Sequence, residues 1–171
     1  MRETNDKVAD MAPHNGLKDK VRVTGTGDGI DMEAIARAEK ALAELSVEFD
    51  GWLAEEVARL LAARDAVKSG GITEDHYDDL YRAAHDLKGE GDTLGYPLVT
   101  ELCGLMCKLI DAAEDKTAIP TTLIDNHVDA IHIVMRDKIK DAGDETARAV
   151  IERLGEVVGD YEAHFARRKA G

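Results

Sequence analysis

Apolar side chains recur at intervals of three and four residues along most of this chain, the spacing that lines up one face of an α-helix. No segment shows the alternation of apolar and polar residues typical of a half-buried strand, and aromatic residues make up only 4% of the chain. The 171 residues, 44% of them apolar, are enough to close one hydrophobic core. The sequence therefore predicts an all-α fold.

Six helical segments follow one another. In chain order they start at or near Asp31, Trp52, Thr73, Pro97, Pro120 and Asp144. Short connections between long helices favour antiparallel neighbours. We predict an antiparallel up-and-down four-helix bundle with additional helices at its N- and C-terminal ends. The inward faces of the last four segments are expected to carry Tyr77, Leu80, Ala84 and Leu87; Leu98, Leu102, Leu105, Met106, Leu109 and Ile110; Leu123, Ile124, Val128, Ile131, Met135 and Ile139; and Val150, Leu154, Val157, Val158, Tyr161 and Phe165.

The first thirty residues differ from the rest of the chain. They show no sustained period and end in a glycine-rich run, 24–29, that lacks the Gly-Lys-Ser/Thr ending of a phosphate-binding loop. Such a segment cannot bury enough apolar surface to hold one conformation. We predict a flexible N-terminal tail at 1–30 and a helical domain at 31–171.

Charge and hydropathy narrow the classes of partner. The net charge of −13 repels phosphate backbones, so we expect protein partners and no nucleic acid. No apolar run reaches the roughly 20 residues that span a bilayer, and the start of the chain lacks a secretory signal, so we expect a cytoplasmic protein without membrane contact. Cys103 and Cys107 lie within an apolar helical pattern and are expected to be reduced core residues.

One histidine of the third segment is predicted to face solvent. When the core face is centred on Tyr77, Leu80, Ala84 and Leu87, His85 lies about 120° away on a helical wheel. An isolated surface histidine more often has no role than a catalytic one. An imidazole nitrogen in this position is nevertheless accessible as a nucleophile.

The neighbours of His85 suit a transferred phosphoryl group. Lys88 lies three residues on, along the same flank, where its ammonium can neutralise a phosphoryl group on the ring. Gly89 lies one turn on and removes a side chain that would crowd the imidazole, although a helical glycine costs about 1 kcal/mol relative to alanine. Alternatively, Gly89 and Gly91 only mark the end of the helix.

Together these residues form a known pattern. The sequence His-Asp-Leu-Lys-Gly at residues 85–89, with its surroundings from Leu80 to about Asp111, resembles the signature of histidine-containing phosphotransfer domains of bacterial two-component phosphorelays. The phosphoaccepting domain of chemotaxis kinases shares this signature. The chain departs from it in carrying Glu90, Gly91 and Asp92 where small neutral residues are commoner. Two carboxylates near the phosphate are expected to weaken its retention or to select partners.

The resemblance implies a function and its residues. His85 would accept the phosphoryl group, Lys88 would stabilise it, and Gly89, Tyr81 and Asp92 would lie where a partner docks. The partners would be receiver domains of response regulators and hybrid histidine kinases. The chain would bind no metal and no cofactor of its own, because the Mg²⁺ belongs to the receiver. It would then be a monomeric phosphocarrier and not an enzyme.

Two other functions are possible for a helical chain with an exposed histidine. A dimeric histidine kinase-like fragment would need an ATP-binding domain with glycine-rich and asparagine motifs, and nothing after Leu94 resembles one. A non-catalytic helical scaffold or interaction protein would have no need of His85, Lys88 and Gly89 together. The other five histidines are assigned no role, and the five-residue spacing of His127 and His132 puts them on different helix faces.

Overall fold

The computed structural model describes residues 32–70 and 73–169 of the chain. This part consists of five α-helices and one 3₁₀ helix and contains no β-strand. The α-helices are α1 (Met32–Ser69), α2 (Glu74–Glu90), α3 (Pro97–Ala112), α4 (Thr121–Arg136) and α5 (Glu145–Lys169), and the 3₁₀ helix is Lys116–Ala118. The predicted all-α fold is confirmed for these residues. The predicted tail at 1–30 lies outside them.

The helices pack around one core. α1 and α2 are neighbours, as are α2 and α3, α3 and α4, and α4 and α1, while α5 packs mainly on α3. α2 and α3 begin at the predicted residues. The Thr73 side chain caps α2 by accepting a hydrogen bond from the His76 backbone N–H at 3.3 Å, and Pro97 is the first residue of α3. No helix in the described part of the chain is long and apolar enough to cross a membrane.

The predicted core face of α2 is confirmed in full. Tyr77, Leu80, Ala84 and Leu87 are all completely buried. Tyr77 adds a polar anchor, because its hydroxyl donates to the Ile119 carbonyl oxygen at 3.1 Å. Because one face of α2 is buried and the Tyr77 hydroxyl is hydrogen-bonded, the helix cannot rotate about its axis without exposing apolar surface. The rotation of this helix determines which of its residues face solvent.

The two N-terminal helical segments are one helix, which corrects the prediction. α1 runs unbroken for 38 residues, because the segment between the two runs contains no proline and Gly51 alone does not end a helix. Its second half packs into the core through Leu53, Val57, Leu60 and Val67. Most apolar residues of its first half are exposed, a pattern that periodicity alone did not reveal.

Two further predictions are corrected in detail. α4 ends at Arg136, so Ile139 packs against the core from the connection that follows, where Lys138 turns the chain with a φ of 53°. In α5, Leu154 and Val158 are buried as predicted, whereas Val150 is exposed and the buried stripe also includes Ala147 and Ile151. This stripe is narrow because α5 covers only one side of the bundle.

His127 is fully buried on α4. Its Nδ1–H donates to the Leu123 carbonyl oxygen at 2.7 Å, while its Nε2 has no hydrogen-bond partner among the described residues. Burial lowers the pKa of His127, because the charged ring would be desolvated. The folded protein therefore holds this histidine neutral at a pH where the unfolded chain protonates it.

We expect this histidine to make the protein less stable as the pH falls. Below the unfolded pKa of about 6.5 the unfolded chain binds a proton that the folded chain excludes, so the free energy of unfolding should drop by about 1 kcal/mol between pH 7.5 and 5.5. Urea denaturation at the two pH values measures this loss. His127→Leu should remove it and the matched change His132→Leu, at an exposed position of the same helix, should not. An unchanged pH slope in His127→Leu would contradict this expectation.

Candidate functional site

His85 lies on the solvent face of α2, as predicted. Its side chain is exposed, whereas Ala84 before it and Leu87 after it are completely buried. The imidazole is therefore held by a rigid, well-packed helix while its nitrogens stay open to a second molecule.

Tyr81, one turn before His85, supports the imidazole on one side. The two rings lie 6.1 Å apart between centroids, with an angle of 24° between their planes. The Tyr81 hydroxyl donates to Asp111 Oδ2 on α3 at 3.2 Å, which ties the phenol to the neighbouring helix. The negative charge of Asp111 raises the pKa of Tyr81, so the phenol keeps the proton that makes this bond.

Lys88, one turn after His85, leans toward α3. Its side chain passes Gly104, where an added Cβ would lie 3.9 Å from Lys88 Cε, an ordinary van der Waals distance. Lys88 makes no ion pair within the described residues, whereas Arg82, on the other flank of His85, pairs with Asp79 at 2.9 Å. Of these two cations, Lys88 is the one that can turn to an incoming anion without breaking an ion pair.

The two glycines at the end of α2 do different things. Gly89 lies inside the helix, and a Cβ added there would meet nothing within 4 Å. Gly91 caps the helix and is buried, and a Cβ there would lie 2.7 Å from Thr100 Oγ1 and 3.1 Å from the Tyr96 carbonyl oxygen. Gly91 thus allows close packing at the helix end, while Gly89 leaves open space beside the histidine.

Comparison with known proteins identifies the family. A family model for the Hpt domain matches residues 32–141, more than half of the chain. The chain belongs to the Hpt domain family. No curated protein and no solved structure matches it. Hpt domains are phosphocarriers that take part in phosphorelays and interact with receiver domains of two-component systems.

In this Hpt domain, sequence reasoning missed a further cation, Lys108 on α3. Tyr81 contacts Asp111 and Lys88 lies over Gly104, so α2 and α3 run in opposite directions in a defined register. Midway between these contacts, the register brings Lys108 to the level of His85. Lys108 is exposed and shares a face of α3 with Gly104 and Asp111. Its role could not be read from the chain because it depends on the register between helices.

A groove of about 420 Å³ lies between α1 and the end of α2. Gly89 forms part of its wall, Trp52 and Leu94 supply apolar surface, and Glu55 and Glu90 give it an acidic rim. The two acidic residues predicted to influence partner choice therefore lie in different places. Glu90 lines the groove, and Asp92 does not. Asp92 is exposed in the following turn, where its amide donates to Thr100 Oγ1 at 2.8 Å.

The remaining reactive side chains lie apart from His85 or are shielded. Cys103 and Cys107 are free and buried as predicted, and burial raises the pKa of both thiols. His127 is buried and His132 exposed on α4. Within the described ranges, no three histidine, cysteine or acidic side chains come together as a metal site would require.

Paired substitutions test the different tasks of the two glycines. Gly89→Leu should leave the melting temperature unchanged or raise it, because the site is open and leucine favours helix, yet it should slow phosphoryl transfer from a receiver domain. Gly91→Ala should destabilise the fold by about 1–3 kcal/mol, because its Cβ would press on backbone atoms. Thermal melts and transfer rates separate the two effects. Wild-type transfer by Gly89→Leu would show that the open space is not used.

Proposed function

We propose that this Hpt domain relays a phosphoryl group between aspartates of receiver domains, in response regulators and hybrid histidine kinases, through a phosphohistidine at His85. The observation that carries the proposal is an exposed histidine on a helix whose opposite face is completely buried, with open space at Gly89 on one side. Nearby Lys88 makes no ion pair with residues 32–70 or 73–169. A phosphocarrier needs little more than a positioned nucleophile, because its partner supplies the remaining groups.

The proposed step is an in-line displacement at phosphorus. A ring nitrogen of His85 forms the new nitrogen–phosphorus bond as the bond between phosphorus and the aspartyl oxygen of the receiver breaks. The aspartate leaves as a carboxylate, and the reverse step returns the group to another receiver. Such transfers depend mainly on positioning and charge stabilisation, and we expect the Mg²⁺ to be held by the receiver's acidic pocket.

Charge at the site supports this chemistry within an acidic protein. The phosphoryl group would bring up to two negative charges onto a chain with a net charge of −13. Lys88, on the same helix, is proposed to stabilise it by a charge-assisted contact, and Lys108 to add a second positive charge from α3. Asp111 keeps its negative charge while it accepts the Tyr81 hydroxyl, so the two lysines offset this carboxylate as well as the phosphoryl group.

We propose that the receiver docks over α2 on the side of Gly89. A flat approach is possible there because the helix carries no side chain at that point. The groove lined by Trp52 and Leu94 would accept an apolar side chain, and Glu90 on its rim would favour a basic one. Tyr81, one turn before His85, and Asp92, in the turn after α2, would lie at the edge of this contact.

The same proposal includes the antiparallel arrangement of the first four helices. Opposite directions are supported for α2 and α3 by the register described above. For α1 and α4 they are supported by two ion pairs, Arg64 with Asp129 at 2.8 Å and Lys68 with Asp125 at 3.2 Å. Together with the ring of neighbouring helices, these contacts favour an up-and-down bundle with α5 added outside it.

The site is tested by transfer from receivers. With Mg²⁺ and a receiver domain phosphorylated by acetyl phosphate, drawn from the purified receivers of the source organism, the wild type should gain one phosphoryl group that is labile in acid and stable in base. His85→Gln should gain none, and because the position is exposed its stability should change by no more than about 0.5 kcal/mol. Labelling of His85→Gln by every receiver that labels the wild type would contradict the assignment.

The two lysines are tested in the same assay. Lys88→Ala should slow transfer by roughly 10-fold, since one charge-assisted contact is lost while the nucleophile remains. Lys108→Ala should slow it less, and the double variant more than either. Lys40→Ala is the matched control, because it removes the same charge from an exposed position on α1. Equal rates in the control and the double variant would remove both lysines from the site.

A further inference from the structure

The first half of α1 extends beyond the rest of the bundle. α1 has 38 residues and spans about 57 Å, whereas α2, α3 and α4 have 16 or 17 and span about 25 Å each. The first fully buried residue of α1 is Leu53. Ser46 and Asp50 already accept hydrogen bonds from Lys140 of the bundle, at 3.4 and 2.8 Å, so about the first fourteen residues of the helix project past it. A helix of this length is only marginally stable in water without a packing partner.

This projection carries a regular apolar seam. The spacing between successive seam residues is three, four, three, four and three, which is the a and d pattern of a coiled coil. The residues of this α1 seam are Ile35, Ala38, Leu42, Leu45, Phe49 and Trp52. Leu42 is 69% exposed, Trp52 55% and Leu45 47%. Apolar side chains repeated in this way along an exposed helix indicate a partner helix.

We propose that the α1 seam is a homodimer interface, in which the seams of two copies of this chain pack against each other as an antiparallel coiled coil. A second copy supplies a matching heptad seam, whereas the N-terminal segment 1–30 of the same chain has no sustained apolar period. Apart from Trp52, which also lines the groove beside Gly89, the seam lies outside the phosphoacceptor site, and the dimer does not depend on the proposed function. It replaces the monomer expected from the sequence.

Side-chain size favours antiparallel pairing. When Leu42 of one copy lies opposite Leu45 of the other, Ala38 faces Phe49 and Ile35 faces Trp52, so that small or medium side chains meet large ones. Parallel pairing would instead place Ala38 on Ala38 and Trp52 on Trp52, leaving a gap in one layer and crowding another. Interdigitation of large with small side chains gives the denser packing.

Charge is compatible with this pairing. The positions that flank the seam place Glu39 beside Ser46 of the second copy and Ala41 beside Glu48, so no like charges face each other.

The twelve seam side chains, four of them aromatic, would bury on the order of 1,000 Å², close to the lower bound for a specific interface. We therefore expect a reversible dimer whose population depends on protein concentration.

Sedimentation velocity of the full chain over a range of concentrations tests the dimer. The mass should rise from 18.6 kDa toward twice that value. Leu42→Glu should weaken association at least 10-fold while its circular dichroism and its labelling at His85 stay unchanged. Val47→Glu is the matched control, because Val47 is 71% exposed on the same helix but lies off the seam, and it should leave the dimer intact. A wild type that stays monomeric at all concentrations, or equal weakening by both variants, would overturn the proposal.

Further variants test what covers the α1 seam and whether the two paired helices are antiparallel. A chain lacking residues 1–31 should still dimerise, and dimerisation that appears only after this deletion would show that the N-terminal segment covers the seam instead. Under oxidising conditions a mixture of Leu42→Cys and Leu45→Cys chains should form a disulfide-linked heterodimer, and Ile35→Cys alone should form none. Efficient self-linking of Ile35→Cys would overturn the antiparallel arrangement.

Discussion

The burial of one face of α2 is the constraint on which the site depends. Tyr77, Leu80, Ala84 and Leu87 are completely buried, and turning the helix would expose their apolar surface to water. With the rotation of α2 held in this way, His85 must face outward. The same packing brings α3 close enough for Asp111 to hold Tyr81, whose ring lies beside the imidazole. The site is therefore a by-product of core packing, and it needs no buried charge or strained backbone of its own.

Much of this could be predicted because it is encoded locally. Apolar spacing identified the buried face of α2, the exposure of His85 follows from that spacing, and the cap at Thr73 is a short-range signal. What could not be predicted depends on contacts between helices. Gly91 is needed because Thr100 lies against it, and Lys108 reaches the level of His85 only through the register of α2 with α3. Periodicity alone cannot provide either fact.

For the long α1, too, apolar periodicity predicts the helix but not its packing partner. Its apolar residues were correctly read as helical, yet an apolar stripe does not say what covers it. In the second half of the helix the bundle covers this stripe, and in the first half we propose that a second copy of the chain does. Because α1 is one continuous helix and not two, it connects the seam directly to the domain that carries His85.

If one imidazole carries the phosphoryl group, the modified atom can be identified directly. Protein phosphorylated by a receiver and kept at neutral or basic pH can be studied by NMR with nitrogen-15 label in the histidine rings. We predict a single nitrogen–phosphorus coupling, assigned to the ring of His85, while the other five of the six histidines stay unmodified. Coupling to any other histidine, or phosphate bound to oxygen alone, would contradict it.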